Sequence, residues 1–371
     1  MQRIPARPGD ALDSVETPAL VVDLDVFEHN LDLMADVVRG SGLALRPHAK
    51  SHKCPDIAKS QISRGAIGIC CQKVDEAAVF VAAGVANVLL TNEVVTPSKM
   101  VRLAELAQAA TIGVLVDNPA VLADLSAAAV MAGGTLHIYV EIDVGANRCG
   151  VLPGEAAVAL AREATALPGL IFRGLHAYQG GAQHLRTPDE RIMAIAQASA
   201  LALKAKQMIE RAGIACPVVT GAGTGTWQLE RDSGIYTELQ PGSYIFMDAD
   251  YGRNALAPDQ HHFEQSLYVL TTVMSTPTPE RAIVDAGLKA LAFDSGLPLV
   301  HAAHGLTYVK ASDEHGVLQV DLAQASPRIG DRVWLVPGHC DPTANLYDWI
   351  VGMRGDRVEC VWPVAARGAL G

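Results

Sequence analysis

The stretch NVLLTNEVVTPSKMVRLAELAQAATIGVLVDN, residues 87–118, decides the fold. A β-rich run starting at Asn87 gives way to a helical pattern over 97–110, and a second β-rich run starts at Thr111. Parallel strands require a crossover of this kind, so the stretch reads as one strand–helix–strand unit. Outward from it the unit repeats. Upstream lie LALRPHAK, ending at Lys50, and AIGICCQ from Ala66. Downstream lie LHIYVEIDVG from Leu136, LIFRGLHAY from Leu170, PVVTGAG from Pro217 and YTELQPGSY from Tyr236, with helical patterns over 75–83, 155–167 and 188–212 between strands. Eight strands in this order predict an α/β fold, a (β/α)8 TIM-type barrel whose chemistry sits at the C-terminal strand ends. A doubly wound sheet is the alternative.

A further run, ALVVDLD from Ala19, would be a ninth strand and is expected outside the barrel. Beyond about residue 255 the pattern changes to extended runs separated by turn signals: QSLYVLTTVMS, RAIVDAG, TYVKASDEHGVLQVD, DRVWLVPGH and WIVGMRGDRVECVWPV. These predict an all-β C-terminal domain that also takes up the N-terminal strand. The expected division is a barrel over 26–255 and a β-domain built from 1–25 plus 256–371. No fixed-period repeat or low-complexity segment interrupts it.

With 371 residues, half of them hydrophobic, the chain can bury a large core, which excludes a disordered protein. A net charge of -11 without any basic run argues against nucleic acid and acidic membrane surfaces as partners. The N-terminus lacks the apolar stretch of a secretory signal, and no run reaches the roughly 18 apolar residues of a membrane span. A cytoplasmic protein acting on a small molecule is expected. Seven cysteines without regular spacing do not form a disulfide framework, and the adjacent Cys70 and Cys71 cannot face one side of a strand.

Chemistry concentrates at the predicted strand ends. Lys50 closes the first strand inside Arg46-Pro47-His48-Ala49-Lys50-Ser51-His52-Lys53. Neighbouring positive charge and partial burial there would lower the amine's pKa and expose a nucleophile; the bland alternative is a solvated basic turn. Thr220-Gly221-Ala222-Gly223-Thr224 follows strand seven and Gln240-Pro241-Gly242-Ser243 closes strand eight. Loops of this kind either cradle a phosphate with backbone N–H groups or are simple tight turns. Arg148, after strand five, either reaches the phenolate oxygen of a pyridoxal phosphate (PLP) ring or pairs with Asp143 to shape its own loop. His176 and Tyr178 end strand six, expected on nearly opposite faces, with His184 in the loop beyond as a candidate base. His339 and Asp341 sit two apart after a β run, where residues i and i+2 project to one side. An imidazole and a hard carboxylate suit Mn²⁺ or Mg²⁺ and tolerate Zn²⁺; a plain surface turn before Pro342 is the alternative.

Taken in order, these segments resemble the fold-type III PLP enzymes, the alanine racemase-like group, and within it the D-threonine aldolases. The carriers span nearly the whole chain: TPALVVDLD (17–25), RPHAKSHK (46–53), EIDVGANRCG (141–150), HAYQGGAQH (176–184), VTGAGTGTW (219–227), ELQPGSY (238–244), SDEHG (312–316) and PGHCDPTANLYD (337–348). The resemblance implies Lys50 as the Schiff-base lysine, Arg148 near the ring oxygen, Tyr178 near the cofactor, and Thr224, Gly242 and Ser243 around the phosphate. It implies Gln240 opposite the pyridine nitrogen, where alanine racemases place an arginine. It further implies His184 as a base, His339 with Asp341 on a divalent metal, and Asp313 completing an active site across a homodimer interface.

The implied activity is aldol cleavage of D-3-hydroxy-α-amino acids. D-serine dehydratase-like relatives carry a His-x-Cys pair where this chain has His339-x-Asp341, which favours the aldolases over a D-serine or 3-hydroxy-D-aspartate dehydratase. An amino-acid racemase would use a tyrosine as second base. A PLP-binding homeostasis protein would lack the residues after 255.

Overall fold

The computed structural model describes residues 3–258 and 260–371. After a 3-10 turn at Leu12–Ser14 comes β1 (Ala19–Asp23), then α1 (Leu24–Ser41), whose Asp23 cap accepts from the backbone N–H groups of Asp25 and Val26. Capping of this kind satisfies donors that the first helical turn leaves free. Eight parallel strands follow, each at the place its β-rich run predicts: β2 (Ala44–Leu45), β3 (Ile69–Cys71), β4 (Asn87–Glu93), β5 (Thr111–Val116), β6 (Leu136–Glu141), β7 (Leu170–His176), β8 (Val218–Gly221) and β9 (Glu238–Leu239). Between them run α2 (Pro55–Ser63), α3 (Val74–Ala82), α4 (Pro97–Leu106), α5 (Pro119–Ala132), α6 (Glu155–Ala166), α7 (Pro188–Arg211) and α8 (Trp227–Asp232). Proline opens four of these helices, where its missing N–H costs nothing.

The sheet runs β2-β9-β8-β7-β6-β5-β4-β3. Its two end strands meet through a parallel bridge between His48 and Cys70 and through hydrogen bonds from Ile67 N to Leu45 O and Cys70 N to Pro47 O. The ring is therefore a (β/α)8 TIM-type barrel, and the doubly wound alternative falls. One detail differs from expectation. The regular strand ends at Leu45, although Arg46 N and His48 N still donate to Leu239 O and Pro241 O, and Lys50 sits in a short 3-10 turn, Ala49–Ser51, rather than on the strand. Cys70 and Cys71 do face opposite sides: Cys71 joins the large apolar core, while Cys70 packs inside the barrel with Leu89, Leu115 and Tyr139.

The C-terminal part forms a second, mixed sheet from β10 (Leu267–Thr278), β11 (Arg281–Val284), β12 (Leu299–His301), β13 (Leu306–Ala311), β14 (Gly316–Val320) and β15 (Arg332–Val336). A short helix, α9 (Cys340–Ala344), precedes β16 (Trp349–Arg354) and β17 (Arg357–Pro363). As expected, β1 belongs here: it pairs antiparallel with β10 and parallel with β16, with Leu20 opposite both Val269 and Ile350. Strand β12 carries no alternating pattern and was not foreseen; neither was α9, a helix in a region read as all-β. The β-domain rests on the barrel mouth through Lys53, whose Nζ donates to Asn345 Oδ1 at 2.9 Å and whose carbonyl accepts from Ala366 N at 3.0 Å.

Candidate functional site

A cavity of about 670 Å³, open to solvent, lies where the C-terminal ends of the barrel strands meet α9. It gathers most of the residues singled out from sequence: Lys50, Arg148, Tyr178, His184, Gly223, Thr224, Gln240, Gly242, Ser243, His339 and Asp341 all line it. His48, Gln72, Thr91, His176, Ala222 and Tyr251 complete the wall.

Lys50 Nζ lies 3.6 Å from Asp341 Oδ2. Burial pulls the amine's pKa down, but Asp341 and Tyr178 outweigh it, and the net shift is upward. This corrects the expectation of a depressed lysine: the carboxylate that decides the sign comes from the far end of the chain. Beneath Lys50, His48 is driven well below the usual imidazole range by burial and by the positive Lys50. Its Nδ1 accepts from Lys50 N at 3.3 Å, leaving Nε2–H to donate to Thr91 Oγ1 at 2.9 Å, which in turn donates to Cys71 O.

The cavity floor is a polar column running down the barrel. His176 Nε2 contacts Gln240 Oε1 at 3.2 Å; Gln240 Nε2 donates to Thr220 Oγ1 at 2.7 Å; and Thr220 donates to Glu238 Oε1 at 2.7 Å. Glu238 is held by the Arg46 fork at 2.9 and 3.0 Å, and Arg46 also reaches Asn87 at 2.6 Å. Buried groups linked in this way lock one another's orientation. Thr220 is therefore not on the cavity wall, as its loop position suggested; it lies one layer below and fixes Gln240. His176 and Tyr178, expected on nearly opposite faces, both reach the cavity with ring centroids 6.4 Å apart, as an i, i+2 pair of extended residues does.

Arg148 does not pair with Asp143, whose carboxylate caps Gly145 N and Asn147 N. Its guanidinium lies 5.7 Å from the Tyr178 ring centroid and 3.5 Å from Glu141 Oε1. Burial alone would raise Glu141, but His176, the hydrogen bond with Glu93, and Arg148 hold it below the usual carboxylate range.

Two histidines face the cavity with Nδ1 engaged by a carboxylate: His184 with Asp250 Oδ2 and His339 with Asp294 Oδ2, each at 2.6 Å. His339 is extended and Asp341 lies in the first turn of α9, so a helix turn, not strand geometry, brings both to the cavity. Ser243 Oγ donates to Asp341 Oδ1 at 3.1 Å. Asp313 lies exposed in the turn joining β13 and β14, outside the cavity.

Both implied groups fit residues on this wall. For a phosphate, Thr224 Oγ1 is buried with no hydrogen-bond partner, beside Gly223, Gly242 and Ser243. A Cβ at Gly242 would come within 2.6 Å of the His48 carbonyl oxygen, so only glycine lets this loop approach. For a cation, His339 and Asp341 line the same cavity, and Asp341 and Asp294 hold the imidazole above its ordinary range against the pull of burial. A metal-binding histidine usually gives its other N–H to a carboxylate, as His339 gives Nδ1 to Asp294. Among the described residues no cluster of three or more His, Cys, Asp or Glu is arranged to hold a metal; a cation held by His339 and Asp341 would need water or substrate to complete its coordination.

Sequence reasoning missed Gln72, Thr91, Tyr251, Asp250 and Asp294. Gln72 follows β3 directly and Thr91 lies in β4, so the strand-end rule pointed to them. Asp250, Tyr251 and Asp294 lie in segments without a periodic signal.

Comparison with known proteins places the chain among its relatives. The model of the alanine racemase N-terminal domain matches residues 22–250, and that of a serine dehydratase domain matches residues 266–353. The D-threonine aldolase of Arthrobacter sp is 49% identical over 98% of this chain and 96% of its own length. The 3-hydroxy-D-aspartate aldolase of Paracoccus denitrificans (strain Pd 1222) is 48% identical over 98% of this chain and 95% of its own. The crystal structure of D-threonine aldolase from Filomicrobium marinum superposes with a TM-score of 0.97 at 48% identity, covering 99% of this chain and 100% of that one. The chain belongs to the alanine racemase-like family, in the group that holds D-threonine aldolase and 3-hydroxy-D-aspartate aldolase.

Proposed function

We propose that this protein is a PLP- and divalent-metal-dependent carbon–carbon lyase that cleaves D-3-hydroxy-α-amino acids, D-threonine or D-allo-threonine giving glycine and acetaldehyde. The observation that carries the reading is the convergence on one cavity of Lys50, the unpartnered Thr224 hydroxyl and the carboxylate-braced His339 beside Asp341. PLP, when bound, supplies an electron sink at Cα. A divalent cation acidifies an oxygen it binds, as Zn²⁺ takes water from about 15.7 to about 7.

Lys50 is the covalent anchor for the cofactor. Thr224, Gly242 and Ser243, with Gly223 beside them, hold its phosphate; Arg148 faces its ring oxygen, and Gln240 its ring nitrogen. Tyr178 walls the cofactor pocket. His184 takes the proton of the substrate's 3-hydroxyl. His339 and Asp341 hold the metal, for which an imidazole and a carboxylate favour Mn²⁺ over Zn²⁺, with Mg²⁺ also suited. Asp341, where dehydratase-like relatives carry cysteine, supports cleavage over elimination. The 3-hydroxy-D-aspartate aldolase at 48% identity makes that amino acid the second substrate to test. The reading extends to a cytoplasmic homodimer in which Asp313 reaches the partner's cavity, and to a domain division at 25/26 and 255/256. No helix among the described residues is long and apolar enough to cross a membrane.

The test is product analysis with D-threonine and PLP. Glycine and acetaldehyde are expected in equal amounts, lost on chelation and restored better by Mn²⁺ than by Zn²⁺. Formation of 2-oxobutyrate and ammonia would replace the aldolase reading with a dehydratase. Lys50→Ala should lose both the cofactor's absorption band and activity.

A further inference from the structure

His184 ends a short 3-10 turn after β7, while its carboxylate partner Asp250 comes from the segment beyond β9. Asp250 is buried and uses both oxygens. Oδ2 takes His184 Nδ1, and Oδ1 takes Arg186 Nη2. Arg186 is itself fixed, its Nη1 donating to Asp250 O at 2.8 Å and to Asn254 Oδ1 at 2.7 Å. Tyr251 stacks on the imidazole, with centroids 6.3 Å apart and planes 27° from parallel. Burial pushes Asp250 up, but Arg186 and His184 hold it below the usual carboxylate range. An ionised carboxylate only accepts hydrogen bonds, so the shared hydrogen rests on His184 Nδ1, and in the neutral imidazole the lone pair is on Nε2.

We infer that Asp250 is a positioning residue: with Arg186 on its other oxygen, it fixes His184 as the Nδ1–H tautomer and so makes Nε2 the proton-accepting atom at the cavity. The inference rests on the proposed role of His184 as base, but the tautomer itself can be measured without turnover. The geometry makes Asp250→Asn a directional test. Arg186 has donors only and requires the amide oxygen. The amide NH2 must then face His184 Nδ1, which turns from donor to acceptor and moves the hydrogen to Nε2. An isosteric carboxamide in the equivalent place behind a catalytic histidine is known to impose the wrong tautomer.

The experiment is nitrogen-15 NMR of histidine-labelled holoenzyme, with the His184 signals assigned by their loss in His184→Gln. The wild type should show Nδ1–H and Asp250→Asn should show Nε2–H. Removing a general base typically costs ~10²–10⁴-fold; kcat on D-threonine should therefore fall at least about 100-fold in Asp250→Asn, while KM stays within about threefold. An Nε2–H tautomer in the wild type overturns the inference, as does an Asp250→Asn variant with unchanged tautomer or unchanged kcat. If the wild type is inert on every D-3-hydroxy amino acid, the aldolase reading fails, and the two tautomers still decide the positioning claim.

Discussion

His184 with Asp250 on the barrel side of the cavity and His339 with Asp294 on the β-domain side share a 2.6 Å contact, yet they are built in opposite ways. In the first pair the carboxylate is 7% exposed and the histidine 51%; in the second the carboxylate is 52% exposed and the histidine 26%. A carboxylate in solvent is screened and contributes little, whereas a buried one braced by Arg186 keeps its charge and geometry. The barrel-side anion therefore governs its histidine, while the β-domain histidine is governed by what lies inside the cavity, chiefly Asp341. Glu230 shows what burial does without a cation. It is buried, with only the Thr226 hydroxyl on one oxygen at 2.8 Å, and burial pushes its carboxyl up to about 7. Burial alone favours the protonated acid; burial beside arginine favours the anion.

If the β-domain histidine works through the metal it holds, removing either His339 or Asp341 should have the largest effect. His339→Ala and Asp341→Ala should each lower glycine release from D-threonine by about 10³-fold or more, roughly 4 kcal/mol, at saturating Mn²⁺. Retention of a tenth of the activity would break the contrast. Glu230 sharpens it next. Its folded-state pKa of about 7 lies above the unfolded carboxyl value, so its protonated form stabilises the fold at low pH and that contribution is lost as pH rises through 7. Between pH 5 and 8 the wild type should lose on the order of 3 kcal/mol relative to Glu230→Gln, read from denaturant unfolding of the two proteins side by side. The smallest change is expected at the exposed carboxylate. Asp294→Asn should weaken Mn²⁺ binding about tenfold, the low end for a residue behind a metal ligand. A metal titration that showed a loss as large as that from Asp341→Ala would mean exposure does not separate the two pairs.

The barrel was legible because each strand–helix unit carries its own periodicity, and eight such units leave few ways to close. The site was legible where glycine, threonine and histidine cluster in loops after β7, β8 and β9, since loop composition reports what a backbone turn can hold. Partners recruited from elsewhere were not. Asp250 and Asp294 are ordinary aspartates in irregular segments, and only the fold brings them to a histidine. Lys50 illustrates the same limit: the local cluster of basic residues pointed to a depressed amine, and Asp341 reverses the sign. Thr220 shows the converse: read as part of the loop after the strand, it lies within β8, and its hydroxyl points down the barrel to Glu238 instead of into the cavity.

The position of β1, flanked by β10 and β16, places nearly the whole length of the polypeptide between neighbours in one sheet. During synthesis β1 leaves the ribosome before both partners and must wait for them, so the β-domain closes only after the barrel strands have emerged. Contacts this distant in sequence slow folding. A protease that cuts one barrel loop would release neither fragment, because each would still contribute strands to that shared sheet.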